Sequence, residues 1–324
     1  TSKILLLVLQ TKVRTMTISY RASYLAPAKV NLCLNVTGRR SNGYHELVSV
    51  AGFTAFGDTL SLHPVQLDAG EDAKTDLQIT GPFAADLQNA GGDTLIAAAY
   101  SALAMHLPLD RFRFHLEKHI PLGGGLGGGS ADAAACLRAL IETSQASISP
   151  EEVAKIAASI GADVPVCLAP GWQLMTGTGT SLVRLTPPEH GTLHCVLANP
   201  GIAVSTKDVF ARLMSFSQDE AARLATEQTS ALESGAFERL MAFGNDLQAP
   251  ACALYPEIAD LLDQLAGLRS DFPSDYIGRA MSGSGGSCFC LIRSKEAADR
   301  AASHLQDYGI WATATAFVSP ASPL

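Results

Sequence analysis

Six of the seven residues from Gly123 to Gly129 are glycine, in the run Pro121-Leu122-Gly123-Gly124-Gly125-Leu126-Gly127-Gly128-Gly129-Ser130. Without side chains, successive backbone N–H groups can close around an anion. The residues that follow predict a helix over 130–142, with Cys136, Leu137, Leu140 and Ile141 as its apolar stripe. The N-terminus of that helix would add partial positive charge at the same place. Loop and helix together predict a cradle for a phosphate chain. The alternative, a flexible loop without a ligand, leaves the entropy of ordering so many glycines without a return.

Two other glycine motifs compete. A Walker A loop needs lysine where Gly129 stands. The spacing Gly123-x-Gly125-x-x-Gly128 matches a dinucleotide fingerprint, and Glu142 lies beyond it. However, the strand before it alternates, with Phe112, Phe114 and Leu116 on one face, whereas a Rossmann first strand is buried on both.

The elements that must hold this loop belong to a chain of 324 residues, enough for two domains of roughly 150 residues. With 47% apolar and 17% charged residues, it can build full cores and is far from a disordered composition. A net charge of −8 argues against nonspecific nucleic-acid or membrane binding. Ile4–Leu9 is an apolar run of only six residues, against about 20 for a membrane span. The seven cysteines form no C-x-x-C pair, which points to buried free thiols rather than a zinc or redox site.

Period-two patterning predicts a strand over 24–36, with Val30, Leu32, Leu34 and Val36 on one face and Lys29 and Asn31 on the other. Further strands are expected over 46–56, within 58–81, and over 111–119. An Ala-rich helix is expected over 93–106, and a helix opening at Ser149-Pro150 and stopping at Gly161. The second half predicts a strand at 194–198, helices between 206 and 268, strands at 276–281 and 287–293, a helix at 294–306 and a strand at 309–317. Half-exposed alternating strands mixed with helices indicate an α+β fold. Pro187-Pro188 and Gly191 mark the expected boundary between domains at 16–188 and 189–324, with 1–15 an extension outside the fold.

Four more segments stand in order around the loop. They are Pro27-Ala28-Lys29-Val30-Asn31-Leu32, Gly38-Arg39-Arg40 leading to Gly43-Tyr44-His45-Glu46-Leu47, Gly161-Ala162-Asp163-Val164-Pro165, and Ser282-Gly283-Ser284-Gly285. In order and spacing from about residue 24 to the C-terminus, the chain resembles the GHMP kinases. The resemblance implies a two-domain α+β architecture: an N-terminal domain like ribosomal S5 domain 2 and a ferredoxin-like C-terminal domain. It implies ATP at Pro121, Gly123, Gly124, Gly125, Leu126, Gly127, Gly128, Gly129, Ser130 and Asp132, with Mg²⁺ carried by the nucleotide and no metal site of protein side chains.

The same resemblance assigns Asp163 as catalytic base and Lys29 as the cation that orients it and favours its ionised form. Taken alone, Asp163 could simply cap a helix starting at Val164-Pro165, and Lys29 could be a solvated strand lysine. Tyr44 and His45 are assigned to a cytidine moiety, with Phe210 on its other side, and Asn31, Thr206 and Gly285 complete the acceptor site. A half-buried turn tyrosine and a core phenylalanine are the alternatives for Tyr44 and Phe210. The implied acceptor is a cytidine-diphosphate-linked alcohol of isoprenoid precursor synthesis. Neither nucleic acid nor membrane is an expected partner. The expected enzyme is a monomer or weak homodimer in the bacterial cytoplasm. Three positions depart from the family pattern: Ala51, with Phe53 nearby, replaces an aromatic; Ala131-Asp132 replaces Ser-Asn; Asp93-Thr94-Leu95 replaces Asp-Asn-Leu. Asp132 would repel a triphosphate unless compensated.

Overall fold

In the computed structural model, residues 22–65, 76–92, 94–144, 146–187, 192–217 and 220–318 are described; the expected extension at 1–15 lies outside them. The chain opens with two long antiparallel strands, β1 (Ala22–Arg39) and β2 (His45–Pro64). There follow β3 (Asp76–Thr80), α1 (Ala84–Asn89), α2 (Thr94–Ala104) and β4 (Phe112–Glu117). Next come α3 (Gly128–Ser144), α4 (Pro150–Ile160), α5 (Val164–Cys167) and the hairpin β5 (Gln173–Gly177) and β6 (Ser181–Arg184). These six strands form one sheet in the order β3-β4-β2-β5-β6, with β1 paired to β2. Ala131, Ala133, Ala134, Ala135 and Ala139 of α3 are fully buried, and their small side chains let the helix lie close to the sheet. Ser149 caps α4 by accepting from the Glu152 N–H at 3.2 Å, with Pro150 at the first helical position.

The second half contributes β7 (His194–Asn199), α6 (Thr206–Ala211), α7 (Ala221–Glu233), α8 (Phe237–Ala242), α9 (Gln248–Leu254) and α10 (Pro256–Asp271). It closes with β8 (Tyr276–Met281), β9 (Cys288–Ile292), α11 (Lys295–Asp307) and β10 (Trp311–Ala316). Its four strands form an antiparallel sheet in the order β10-β7-β9-β8. In chain order that is fourth, first, third, second, the ferredoxin-like arrangement. Leu261, Leu262, Leu265 and Leu268 of α10 and Ala298, Ala301 and Leu305 of α11 pack into its core. Among the described residues no helix is long and apolar enough to cross a membrane.

The predicted alternation in β1 is corrected: residues 26–36 are buried on both faces. Register shifts between Pro27 and Lys29 and between Asn31 and Cys33 break the simple period and re-aim the side chains around them. The second half covers the polar face. Leu34 exchanges backbone bonds with Gly244 and Asp246 at 2.9 Å each, and Gln228 donates to the Asn35 amide oxygen at 2.8 Å. The expected short strands over 58–81 are instead the long end of β2 followed by β3. The β5–β6 hairpin, which no sequence expectation covered, fills the space after α5.

Candidate active site

The glycine run divides into two parts with different work. Gly123, Gly125 and Gly127 adopt φ of +61°, +72° and +68°, which L side chains rarely adopt. Gly124 and Gly125 are also where the second half of the chain approaches. A Cβ on Gly125 would lie 2.2 Å from the Ser282 carbonyl oxygen, and one on Gly124 would lie 2.8 Å from Ser287 Oγ. The approach is bonded: the Ser287 N–H donates to the Gly124 carbonyl at 2.8 Å. Ser282 Oγ donates to the Gly125 carbonyl at 3.0 Å and accepts from the Asn31 N–H at 3.2 Å. Asn199 donates to Ser287 Oγ at 2.9 Å from the far side.

The remaining glycines open the helix. α3 begins at Gly128, two residues before the predicted start, and the Ala131 N–H bonds the Gly127 carbonyl at 2.8 Å. Gly128, Gly129 and Ser130 therefore form its first turn, where backbone N–H groups have no intrahelical acceptor. The Lys29 N–H donates to the Leu126 carbonyl at 2.9 Å, so β1 pins the middle of the loop.

The side chain of that same lysine reaches Asp163, with Nζ 2.6 Å from Oδ2. Lys29 is 5% exposed at its side chain and Asp163 43%, so the carboxylate faces open space while its cation is held in the wall. Asp163 does occupy the N-cap position of α5, but its side chain makes no capping bond. Its carboxylate is thus committed to Lys29 and the space beside it. Next to the pair, burial pushes the Cys167 thiol up to about 12, away from its thiolate form.

One cleft of about 1180 Å³ joins these groups, just above the usual range for ligand sites. Lys29, Asn31, Asp163, Pro121 and the loop from Gly123 to Ser130 line it, as do Asp132, Tyr44, His45, Thr206 and Phe210. Leu87, Leu95 and Leu122 make an apolar flank on the helix side; Asp93 lies outside the described residues. Gly285 is placed differently from the sequence expectation. It sits in the Ser282–Ser287 turn behind the wall, where its carbonyl would lie 2.8 Å from a Cβ on Gly125, while Gly283 and Ser284 reach the cleft. Thr206 and Ser284 share a hydroxyl bond at 2.7 Å, and Asn31 donates to Ser49 Oγ at 2.8 Å.

At the other end of the cleft Phe210 stacks directly on His45, with ring centroids 4.8 Å apart and planes 27° from parallel. A base between two rings needs about 7 Å, twice the aromatic contact distance, so these two rings do not sandwich one as they stand. Phe216, absent from the sequence expectations, tilts against His45 from 6.0 Å. Tyr44 is 62% exposed. Ala51 and Phe53 are fully buried in the sheet, so neither replaces the missing aromatic. Burial and, secondarily, the Arg39 charge lower the His45 pKa, which keeps its imidazole neutral at pH 7.

Sequence reasoning also missed Lys118 and Asp58. Lys118 Nζ lies 2.6 Å from Asp132 Oδ2 and 2.6 Å from Asp58 Oδ2. Asp132 is therefore matched by a buried cation rather than aimed bare at a phosphate.

The comparisons with known proteins agree with this geometry. The family model described as the GHMP kinases N terminal domain matches residues 94–171, and the GHMP kinases C terminal model matches 229–310. A 4-diphosphocytidyl-2-C-methyl-D-erythritol kinase of Agrobacterium fabrum is 41% identical over 87% of this chain and 90% of its own. One from Granulibacter bethesdensis is 43% identical over 87% and 88%. A crystal structure of 4-(cytidine 5'-diphospho)-2C-methyl-D-erythritol kinase superimposes with a TM-score of 0.69 at 31% identity, over 91% of this chain and 99% of the other. Relatives this similar over nearly their whole length, with both halves of the family model in order, place the chain in one family: it belongs to the GHMP kinases.

Proposed function

We propose that the chain catalyses ATP-dependent phosphorylation of the 2-hydroxyl of 4-diphosphocytidyl-2-C-methyl-D-erythritol. The products are the 2-phosphate and ADP, in the non-mevalonate route to isoprenoid precursors. The observation that carries the kinase reading is the Lys29–Asp163 pair, 2.6 Å apart, on the wall of the cleft that the glycine loop lines. The acceptor's identity is supported by the relatives.

The loop N–H groups and the first turn of α3 bind and orient the triphosphate, as positioning dominates phosphoryl transfer. Leu87 and Leu95 offer an apolar surface to the adenine. Asp163 accepts the proton of the acceptor hydroxyl, and Lys29 holds the carboxylate on line through its 2.6 Å contact. When Mg²⁺ accompanies the nucleotide it neutralises phosphate charge. The donor set suits an ion carried by the phosphates, because Asp163 and Asp132 are each engaged by a lysine. His45 as a neutral imidazole can bond the edge of cytosine, with Tyr44 and Phe210 as the rings beside it, and Asn31 and Thr206 complete the acceptor side.

We place the boundary between the two domains at 188/189, between the strands of the first sheet and those of the second, and the enzyme in the bacterial cytoplasm. None of the seven cysteines is in a disulfide, and six are buried, which suits a reducing compartment. The test is ADP release from Mg²⁺-ATP with the diphosphocytidyl acceptor, mevalonate or homoserine. Turnover on the cytidine compound alone is expected. Turnover on either of the others instead would overturn the acceptor assignment.

A further inference from the structure

Beneath the glycine loop, where Lys118 and Asp132 reach the cleft wall, three charged side chains meet almost fully hidden from solvent. The Lys118 side chain is 3% exposed, and its two partners, Asp58 and Asp132, are 0% exposed. Besides its bond to Lys118, Asp58 accepts the His119 N–H at 2.5 Å and the Ile120 N–H at 2.8 Å through its other oxygen. Burial opposes the charge on Lys118, but the two carboxylates outweigh it and raise its pKa above the usual lysine range.

The placement of the three is specific. Asp58 lies in β2, Lys118 follows the end of β4, and Asp132 lies near the start of α3. Lys118 and Asp132 are 14 residues apart in sequence, and the glycine loop is what they bracket. Their ion pair closes the two stems of the loop on each other, and Asp58 fastens the incoming stem to the sheet. The first helical glycine rests on this group, since a Cβ on Gly128 would lie 3.1 Å from Lys118 Nζ. Stability does not by itself call for charges here, because neutral side chains of similar volume commonly serve as well in a buried ion-pair network. What such a network does impose is register: shifting any stem strands a buried charge.

We infer that Asp58, Lys118 and Asp132 are positioning residues for the nucleotide, acting through the loop whose stems they hold at fixed spacing. This rests on the reading of that loop as the ATP site. A glycine-rich loop left free must be ordered by its ligand, and that ordering subtracts from affinity. With the stems fixed, the loop is set for the triphosphate before it arrives.

The test is a triple variant, Asp58→Asn with Lys118→Met and Asp132→Asn, which removes all three charges together and leaves none unpaired. Steady-state kinetics of the full chain would be compared with calorimetric titration by Mg²⁺-ATP and with thermal unfolding. The expected result is a folded protein whose KM and Kd for ATP rise roughly tenfold, while the acceptor KM stays within about twofold. A folded triple variant with unchanged ATP KM and Kd, or with both KM values raised alike, would overturn the inference. If the triple variant does not fold, Asp58→Asn alone decides: it keeps an oxygen for His119 and Ile120, and a smaller rise confined to ATP is expected. No rise there would also overturn it. Should the native chain itself fail to bind Mg²⁺-ATP, the ATP reading falls first, an outcome distinct from equal binding by native chain and variant.

Discussion

Replacing Gly125 by alanine puts the two roles of the glycine loop to a quantitative test. At φ +72° an L-residue costs about 1–2 kcal/mol over glycine. The new Cβ would also stand 2.2 Å from the Ser282 carbonyl oxygen and 2.8 Å from that of Gly285. Both obstacles are backbone, so the loop and the turn must part by about 1 Å to reach ordinary contact distance. Parting them breaks two bonds, Ser282 Oγ to the Gly125 carbonyl and the Ser287 N–H to the Gly124 carbonyl, each contributing about 0.5–1.5 kcal/mol. The sum is about 2–5 kcal/mol, a large share of the 5–15 kcal/mol typical of native proteins. Gly123→Ala is the control. Its φ is similar, at +61°, but the nearest atom to its Cβ would be 3.7 Å away, so only the backbone cost of about 1–2 kcal/mol applies. Urea unfolding followed by the fluorescence of the buried Trp172 would measure both. The midpoint of Gly125→Ala should fall clearly further, and ATP affinity should fall with it. Equal midpoints for the two variants would refute the reasoning that these glycines answer to the approaching turn.

Asp163→Asn should lower kcat by about 10²–10⁴-fold, the range for loss of a general base, and should also lower Tm because it leaves the buried Lys29 ammonium without its carboxylate; intact kcat per folded molecule would leave Asp163 a purely structural role. Lys29→Met should lower kcat per folded molecule by leaving Asp163 unheld; unchanged turnover would contradict its orienting role. Phe210→Ala should raise the acceptor KM while leaving the ATP KM unchanged, and movement of both together would contradict its place at the acceptor end. Because the His45 pKa is lowered from its ordinary 6.5, the neutral ring persists below that value; the acceptor KM should be flat from pH 8 to 7 and rise only as protonation sets in beneath the usual imidazole range. A rise beginning above pH 7 would contradict this.

Much of the site was legible in the sequence because its groups are clustered or patterned locally. Six glycines before a helix announce an anion loop. The period of the first strand put Lys29 and Asn31 on one face, and that face does open on the cleft. What periodicity could not show is that β1 is buried on both sides. That depends on two register shifts and on residues 228–246, some 200 positions later, packing over Asn35. Lys118 and Asp58 were missed for a related reason. They are 60 residues apart, Asp58 reads as an ordinary polar residue in a strand, and Asp132 looked like a liability until its cation was seen. The signal available was a lysine three residues before the loop's proline, too short a pattern to stand alone. Phe216 and the β5–β6 hairpin lie in stretches with no strong period, and only tertiary packing gives them a place.

The contact between Gly125 and Ser282 spans 157 residues of sequence, and this gives the enzyme a temporal order. During synthesis the glycine loop leaves the ribosome long before the turn that braces it. Until β8 and β9 have folded, the bonds from Ser282 and Ser287 that brace Gly125 and Gly124 are missing. A nascent chain therefore carries the phosphate loop with its stems tied by Lys118 and its middle pinned by β1, but without the turn that braces Gly124 and Gly125. The last brace on the phosphate loop is set only when the second sheet closes, so the loop reaches its final form after the rest of its own domain.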